Sequence, residues 1–88
     1  MKVILKPISG TPKDNLDSAK HKMERVLSFR GRVDGTKVAG KRIVVKVEIN
    51  PKWELSPEER VAYLKEWIHA KVRGSFKVLK VSTEDEAK

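Results

Sequence analysis

The 88-residue sequence has no cysteine, no glutamine and no apolar run that approaches the length of a transmembrane helix. Without cysteine, the protein has no disulfide framework and no thiolate-bound zinc. Apolar runs such as 43–45 are interrupted by charge after three residues, whereas a membrane-spanning helix needs about 20 residues. Lys6 and Pro7 interrupt the apolar start of the chain, which argues against a signal peptide. We therefore expect a cytoplasmic protein with no membrane partner.

Side chains suited to catalysis or metal binding are also scarce. Neither His21 nor His69 has a second histidine four residues away, which is the spacing of helical metal sites. Asp14 and Asp17 fall at a predicted helix start, where favourable interaction with the helix dipole explains them. The glycines do not match the spacing of a phosphate-binding loop. We therefore predict that the protein is not an enzyme and has no metal site and no cofactor.

Length and composition indicate one small domain. Apolar residues make up 39% of the chain, which is enough for one modest core. We predict a single α+β domain over residues 1–81 and an acidic, flexible tail over 82–88. The absence of glutamine, only two asparagines and the abundance of lysine and glutamate are typical of proteins from hyperthermophiles.

Two helix starts have the same pattern. Thr11-Pro12 and Ser56-Pro57 each place a capping hydroxyl before a proline, and proline suits the first helical turn. An acid follows each hydroxyl by three residues, Asp14 and Glu59, as in a capping box. Gly31 is expected to end the first helix. Apolar stripes at helical spacing follow each start: Leu16, Ala19, Met23, Val26 and Leu27 in the first helix, and Val61, Leu64, Ile68 and Val72 in the second.

Alternation of apolar and polar residues predicts strands over 2–8, 42–49 and 76–81. Residues 32–41 are polar and rich in glycine and are predicted as a loop, with a weak signal for a short strand over 36–39. We predict that this fourth strand is present, which gives a βαββαβ plan: a ferredoxin-like sandwich with two helices on one face of a small antiparallel sheet and the other face open. Without it the topology is βαβαβ.

The positive charge is concentrated in the first three-fifths of the chain. The net charge is +8, and residues 1–53 contain 13 basic and 5 acidic side chains. Such a field attracts polyanions. We predict that the glycine-rich loop over 30–42 and the outward positions of the sheet bind phosphates, with Lys77 or Lys80 joining them according to the register. The predicted nucleic-acid-binding residues are Arg30, Arg32, Lys37, Lys41, Arg42, Lys46, Lys2 and Lys6.

A second candidate surface is a ridge on the second helix. Arg60, Tyr63, Trp67 and Lys71 recur at helical spacing beside the core stripe. Aromatic and basic side chains together stack on bases and pair with phosphates, and they also dominate protein-binding hot spots. The alternative explanation of Trp67 is that it packs against the core and widens the buried face of the helix. Trp53 is expected to cover one end of the sheet.

These patterns favour a small, basic nucleic-acid-binding protein. Lysine outnumbers arginine by 14 to 6, which favours contact with the phosphate backbone of DNA or RNA over the reading of bases. The alternative is a protein–protein interaction or regulatory module, including a homodimer, that uses the Tyr63/Trp67 ridge and an unpaired edge of the long strand.

Overall fold

Residues 1–82 fold into two helices packed on one face of a four-stranded antiparallel sheet. The computed structural model describes residues 1–82. The strands follow the order β2-β3-β1-β4, and all neighbouring pairs are antiparallel. The predicted α+β class is therefore confirmed. The elements are β1 (Lys2–Pro7), a 3₁₀ turn (Lys13–Asn15), α1 (Leu16–Leu27), a second 3₁₀ turn (Ser28–Arg30), β2 (Gly31–Ala39), β3 (Arg42–Ile49), α2 (Pro57–Val72) and β4 (Phe76–Ser82).

The segment predicted as a glycine-rich loop is the strand β2. Val33 and Val38 lie opposite Val47 and Ile43 of β3, so they add apolar surface to the helix side of the sheet. A two-residue turn joins the strands, and Gly40 occupies its first position with φ of 64°, as a tight hairpin requires. The strand predicted weakly over 36–39 is therefore present and begins five residues earlier, at Gly31. The prediction of a loop over the rest of this segment and the alternative βαβαβ topology are wrong.

The strand β4 extends one residue beyond the predicted strand over 76–81. Ser82 was expected in the tail, but it is the last residue of β4 and is buried. It lies opposite Lys2 of β1. The rest of the predicted tail, residues 83–88, lies outside the described residues.

The core lies between the sheet and the helices. The inward residues of β1 and β3 were predicted by alternation, and Val3, Leu5 and Ile43 are fully buried. Phe76 is the largest fully buried side chain. The helix stripes are buried against this surface at Ala19, Met23, Val26, Leu27, Leu64, Ile68 and Val72, and Leu16 and Val61 are partly buried against it.

The first helix departs from prediction at both ends. Thr11 Oγ1 accepts a hydrogen bond from the Asp14 amide at 3.2 Å, but that turn is 3₁₀, and α1 begins only at Leu16. The helix ends at Leu27, before Ser28 with φ of 51°. Gly31 is not the helix stop, because it already pairs with β3.

The start of α2 matches the prediction in full. Ser56 Oγ accepts from the Glu59 amide, and Glu59 Oε1 accepts from the Ser56 amide, each at 3.2 Å. This reciprocal capping box satisfies two amides that the helix leaves unpaired. We expect Ser56→Ala to lower the free energy of unfolding by about 1 kcal/mol. Urea denaturation measures the change, and an unaltered midpoint would contradict it.

Candidate nucleic-acid interface

The face of the sheet opposite the helices is lined with cations. Lys2 and Lys6 of β1 and Lys46 of β3 alternate with buried residues, as predicted for an open face. Cross-strand register adds residues from both edge strands, since opposite residues share a face. We call the following side chains the open-face cations: Lys2, Lys6, Lys37, Arg42, Lys46, Lys77 and Lys80.

Both lysines of β4 belong to this set, although strict alternation would place them on opposite faces. Lys77 lies opposite Lys6, and Lys80 lies opposite Ile4. The register shifts between Ile4 and Leu5, so that Leu79 is an extra residue in β4. A bulge of this kind bends the strand and changes which residues share a face.

The open-face cations include two pairs of like charges directly across adjacent strands. Lys2 lies opposite Lys46, and Lys6 lies opposite Lys77. Pairs of like charge at this separation destabilise a sheet. Within residues 1–82, none of the open-face cations lies within 4.0 Å of a carboxylate. Among residues 1–82, these lysine pairs therefore lack ion pairs that would relieve their repulsion.

Arg32 differs from the open-face cations because it is paired. Its Nη2 lies 2.9 Å from Glu48 Oε2, and its Nε lies 3.4 Å from Asp34 Oδ1. The hydrogen bond and negative charge of Glu48, followed by the charge of Asp34, raise the pKa of Arg32. This guanidinium is neutralised locally, so its predicted role in binding phosphates loses its basis.

The other residues predicted to bind phosphates in the 30–42 segment lie on two different surfaces. Lys37, Lys41 and Arg42 are exposed, and Lys41 occupies the hairpin turn beside the open face. Arg30 does not join them. It precedes β2, and its guanidinium carbon lies 4.3 Å from the centre of the Trp67 ring of α2. One basic loop was predicted, but its members lie on two surfaces.

The side chains of the ridge predicted on α2 do not all lie on one exposed surface. Tyr63 and Trp67 form a tilted pair with ring centroids 5.4 Å apart. Arg60 turns inward and donates from Nη2 to the Trp53 carbonyl oxygen at 2.6 Å, so it leaves the exposed ridge. Trp53 stacks on Trp67 at 6.3 Å, and both pack against the core. The alternative explanation of Trp67 as part of a wider buried face is therefore confirmed in part.

The sheet edge proposed for a partner is not available on the long strand. β3 lies between β2 and β1 and pairs with both. The edges of the sheet are β2 and β4. The prediction of an unpaired edge on Arg42–Ile49 is wrong, because β2, which the sequence indicated only over 36–39, pairs along this strand.

The remaining findings are negative. In the part of the chain that the structure describes, no group of three or more metal-ligating side chains comes together. Neither of the helices described over residues 1–82 combines the length and apolar character needed to span a membrane. No family model matches the chain, and no curated protein or solved structure matches it significantly.

Proposed function

We propose that this protein binds nucleic acid through the phosphate backbone, with low sequence specificity, on the open face of a ferredoxin-like sandwich. The observation that supports this most strongly is the set of open-face cations without carboxylate partners among residues 1–82. Like charges on adjacent strands cost stability. A polyanion laid over the face removes that cost and releases its own counterions on binding.

The dimensions of the face suit several phosphates at once. Neighbouring strands are about 4.8 Å apart, so cations on four strands extend over about 14 Å. Successive phosphates of one DNA strand advance by about 3.4 Å along the helix axis. The open face therefore spans about four phosphates of one strand, and more if both strands of a duplex contribute.

The chemistry of the face favours backbone contact over base recognition. Six of the seven open-face cations are lysines, which act as point charges and lack the planar fork with which arginine reads guanine. The centre of the face is aliphatic, where Ile4 lies opposite Val44. Contacts to phosphate position a protein without distinguishing sequences, so we expect similar affinity for unrelated sequences.

A salt titration on a panel of nucleic acids tests the proposal. For contact with four to six phosphates, log K falls against log salt with a slope of about −4 to −5. Fluorescence anisotropy with labelled DNA and RNA of several sequences measures this slope. Affinities that agree across sequences and share the slope support the proposal. Binding that is independent of salt, or absent at low salt, would overturn it.

A further inference from the structure

A groove on the helix side of the molecule combines cations with exposed aromatic rings. One part has a volume of about 270 Å³ and is lined by Arg25 and Val26 of α1, Arg30, and Trp67 and Lys71 of α2. A neighbouring part of about 380 Å³ shares Arg30 and Trp67 and adds Phe29, Trp53, Leu55 and Tyr63. We call these two connected parts the aromatic groove. The open-face cations do not line it.

Arg30 is held in position at the centre of the aromatic groove. Its guanidinium carbon lies 4.3 Å from the Trp67 ring centre and 4.6 Å from the Phe29 ring centre. Asn50 fixes the backbone on which these residues stand: its amide donates to the Arg30 carbonyl at 2.7 Å, and its Nδ2 donates to the Phe29 carbonyl at 3.0 Å. The rings and the backbone thus restrict the guanidinium before any ligand arrives.

The guanidinium edge is free to bind an anion. Among residues 1–82, no side chain or carbonyl accepts a hydrogen bond from the Arg30 guanidinium, and no carboxylate lies within 4.0 Å of it. Arg25 and Lys71 line the same part of the groove, and none of its described lining residues is acidic. Three cations around one depression, one of them preoriented, are complementary to a phosphate.

The aromatic part of the groove offers flat apolar surface beside this anion site. The Phe29 side chain is 73% exposed and that of Tyr63 is 45% exposed, which is high for large aromatic residues. The Trp67 ring already contacts Trp53, Tyr63 and Arg30. Phe29 and Tyr63 therefore provide the free ring surface, and Trp67 supports them.

We infer that the aromatic groove binds an unpaired nucleotide of a single strand, with its phosphate on Arg30, Arg25 and Lys71 and its base against Phe29 or Tyr63. This inference rests on the proposed function and names the form of nucleic acid that the second surface recognises. A base within a duplex is stacked and paired, so its flat face cannot reach these rings. An acidic peptide would pair with the cations, but it has no flat ring beside each negative charge that could stack on Phe29 or Tyr63.

The two tryptophans make occupancy of the groove directly measurable. The chain contains only Trp53 and Trp67, and both line the groove. Intrinsic fluorescence therefore reports on this site, whereas anisotropy of a labelled ligand reports on binding anywhere. The full chain is titrated with four probes: a single-stranded oligothymidylate, a mixed-sequence duplex, an abasic oligonucleotide of equal length, and polyglutamate.

Phe29→Ala is the variant that separates base stacking from charge. Removal of one stacking partner weakens single-strand binding by about 5- to 150-fold. Affinity for the abasic strand falls much less, because the Trp67 ring still holds the Arg30 guanidinium, and affinity for the duplex stays unchanged. Arg30→Gln weakens binding of the single strand and of the abasic strand alike, because it removes a phosphate contact. Ile8→Ala is the matched control, because Ile8 is exposed and apolar and does not line the groove.

The possible results separate this inference from the proposed function. Single-strand affinity that falls for Phe29→Ala but not for Ile8→Ala supports the groove. Equal single-strand affinity for the two variants overturns the groove and leaves the sheet surface standing. Polyglutamate that quenches tryptophan as strongly as the oligonucleotide also overturns it, in favour of an acidic protein partner. If the single strand quenches tryptophan fluorescence but the duplex does not bind, the sheet proposal alone is overturned. If no nucleic acid binds at all, both proposals are overturned.

Discussion

Replacing Lys46 and Lys77 together by glutamate is expected to weaken nucleic-acid binding by about 25-fold at 0.15 M salt, because each phosphate interaction that is removed weakens binding by about fivefold. Both side chains are open-face cations, on a central strand and on an edge strand. Reversing their charge also adds repulsion toward the ligand, so 25-fold is a lower bound. The salt slope should become less steep by about 2.

The same double variant should be more stable than the wild-type protein. Lys46→Glu places a carboxylate opposite Lys2, and Lys77→Glu places one opposite Lys6. Each exchange turns a repulsive cross-strand pair into an attractive one, with a gain of about 0.2–1 kcal/mol per pair. Urea denaturation should therefore show a higher midpoint for a protein that binds less tightly.

The control for this experiment must have the same net charge. Lys13→Glu with Lys65→Glu makes an equal charge change at exposed positions of the helix layer, outside both proposed surfaces. We expect this control to retain most of the wild-type affinity for duplex, apart from a small long-range effect that salt screens. An equal drop in affinity in the two double variants would show that only net charge matters, and would contradict a defined surface.

Gly31→Ala is expected to destabilise the fold by about 1–3 kcal/mol, the usual cost of forcing extra atoms into a packed site. A β-carbon at this position would lie 2.6 Å from the carbonyl oxygen of Glu48 and 3.4 Å from the α-carbon of Ile49. Both contacts are with backbone that is held in the sheet, so neither moves aside as a flexible side chain would. The strands β2 and β3 must separate at this end.

Thermal unfolding measures this effect directly. For a domain of this size, each 1 kcal/mol shifts Tm by about 4–8 °C, so Gly31→Ala should lower Tm by several degrees or more. Gly35→Ala is the matched control in the same strand, because a β-carbon there meets nothing within 4 Å and the φ angle is not positive. Equal Tm values for the two alanine variants would contradict the explanation.

Much of the fold was predictable because short-range rules decide it. Alternation predicted the inward faces of β1 and β3, and the Ser56/Glu59 pattern predicted the start of α2. The strand β2 was predicted only weakly, and only over 36–39, because Asp34 is an extra residue opposite β3, which shifts the register between Val33 and Gly35. A bulge breaks the alternation on which strand prediction depends, and its position is set by the partner strand.

The candidate surfaces were predicted less completely, because the contacts of long side chains depend on residues that are distant in the sequence. Arg30 was grouped with its sequence neighbours, yet its guanidinium lies over a ring of α2. Arg60 shares a helical spacing with Tyr63, but it turns toward the Trp53 carbonyl. Phe29 was not singled out at all. The one signal that pointed to it was a large aromatic residue beside Arg30, after the end of an apolar stripe.

The two bulges have a consequence for how the protein behaves at high concentration. Each lies in an edge strand, since β2 and β4 contain the extra residues while β1 and β3 are regular. A straight edge offers a continuous row of amides and carbonyls on which another chain can add as a further strand, and bulges and lysines disrupt such rows. Deleting Asp34 and Leu79 would straighten both edge strands of the sheet. Further chains could then add to these edges as strands, which favours fibril growth.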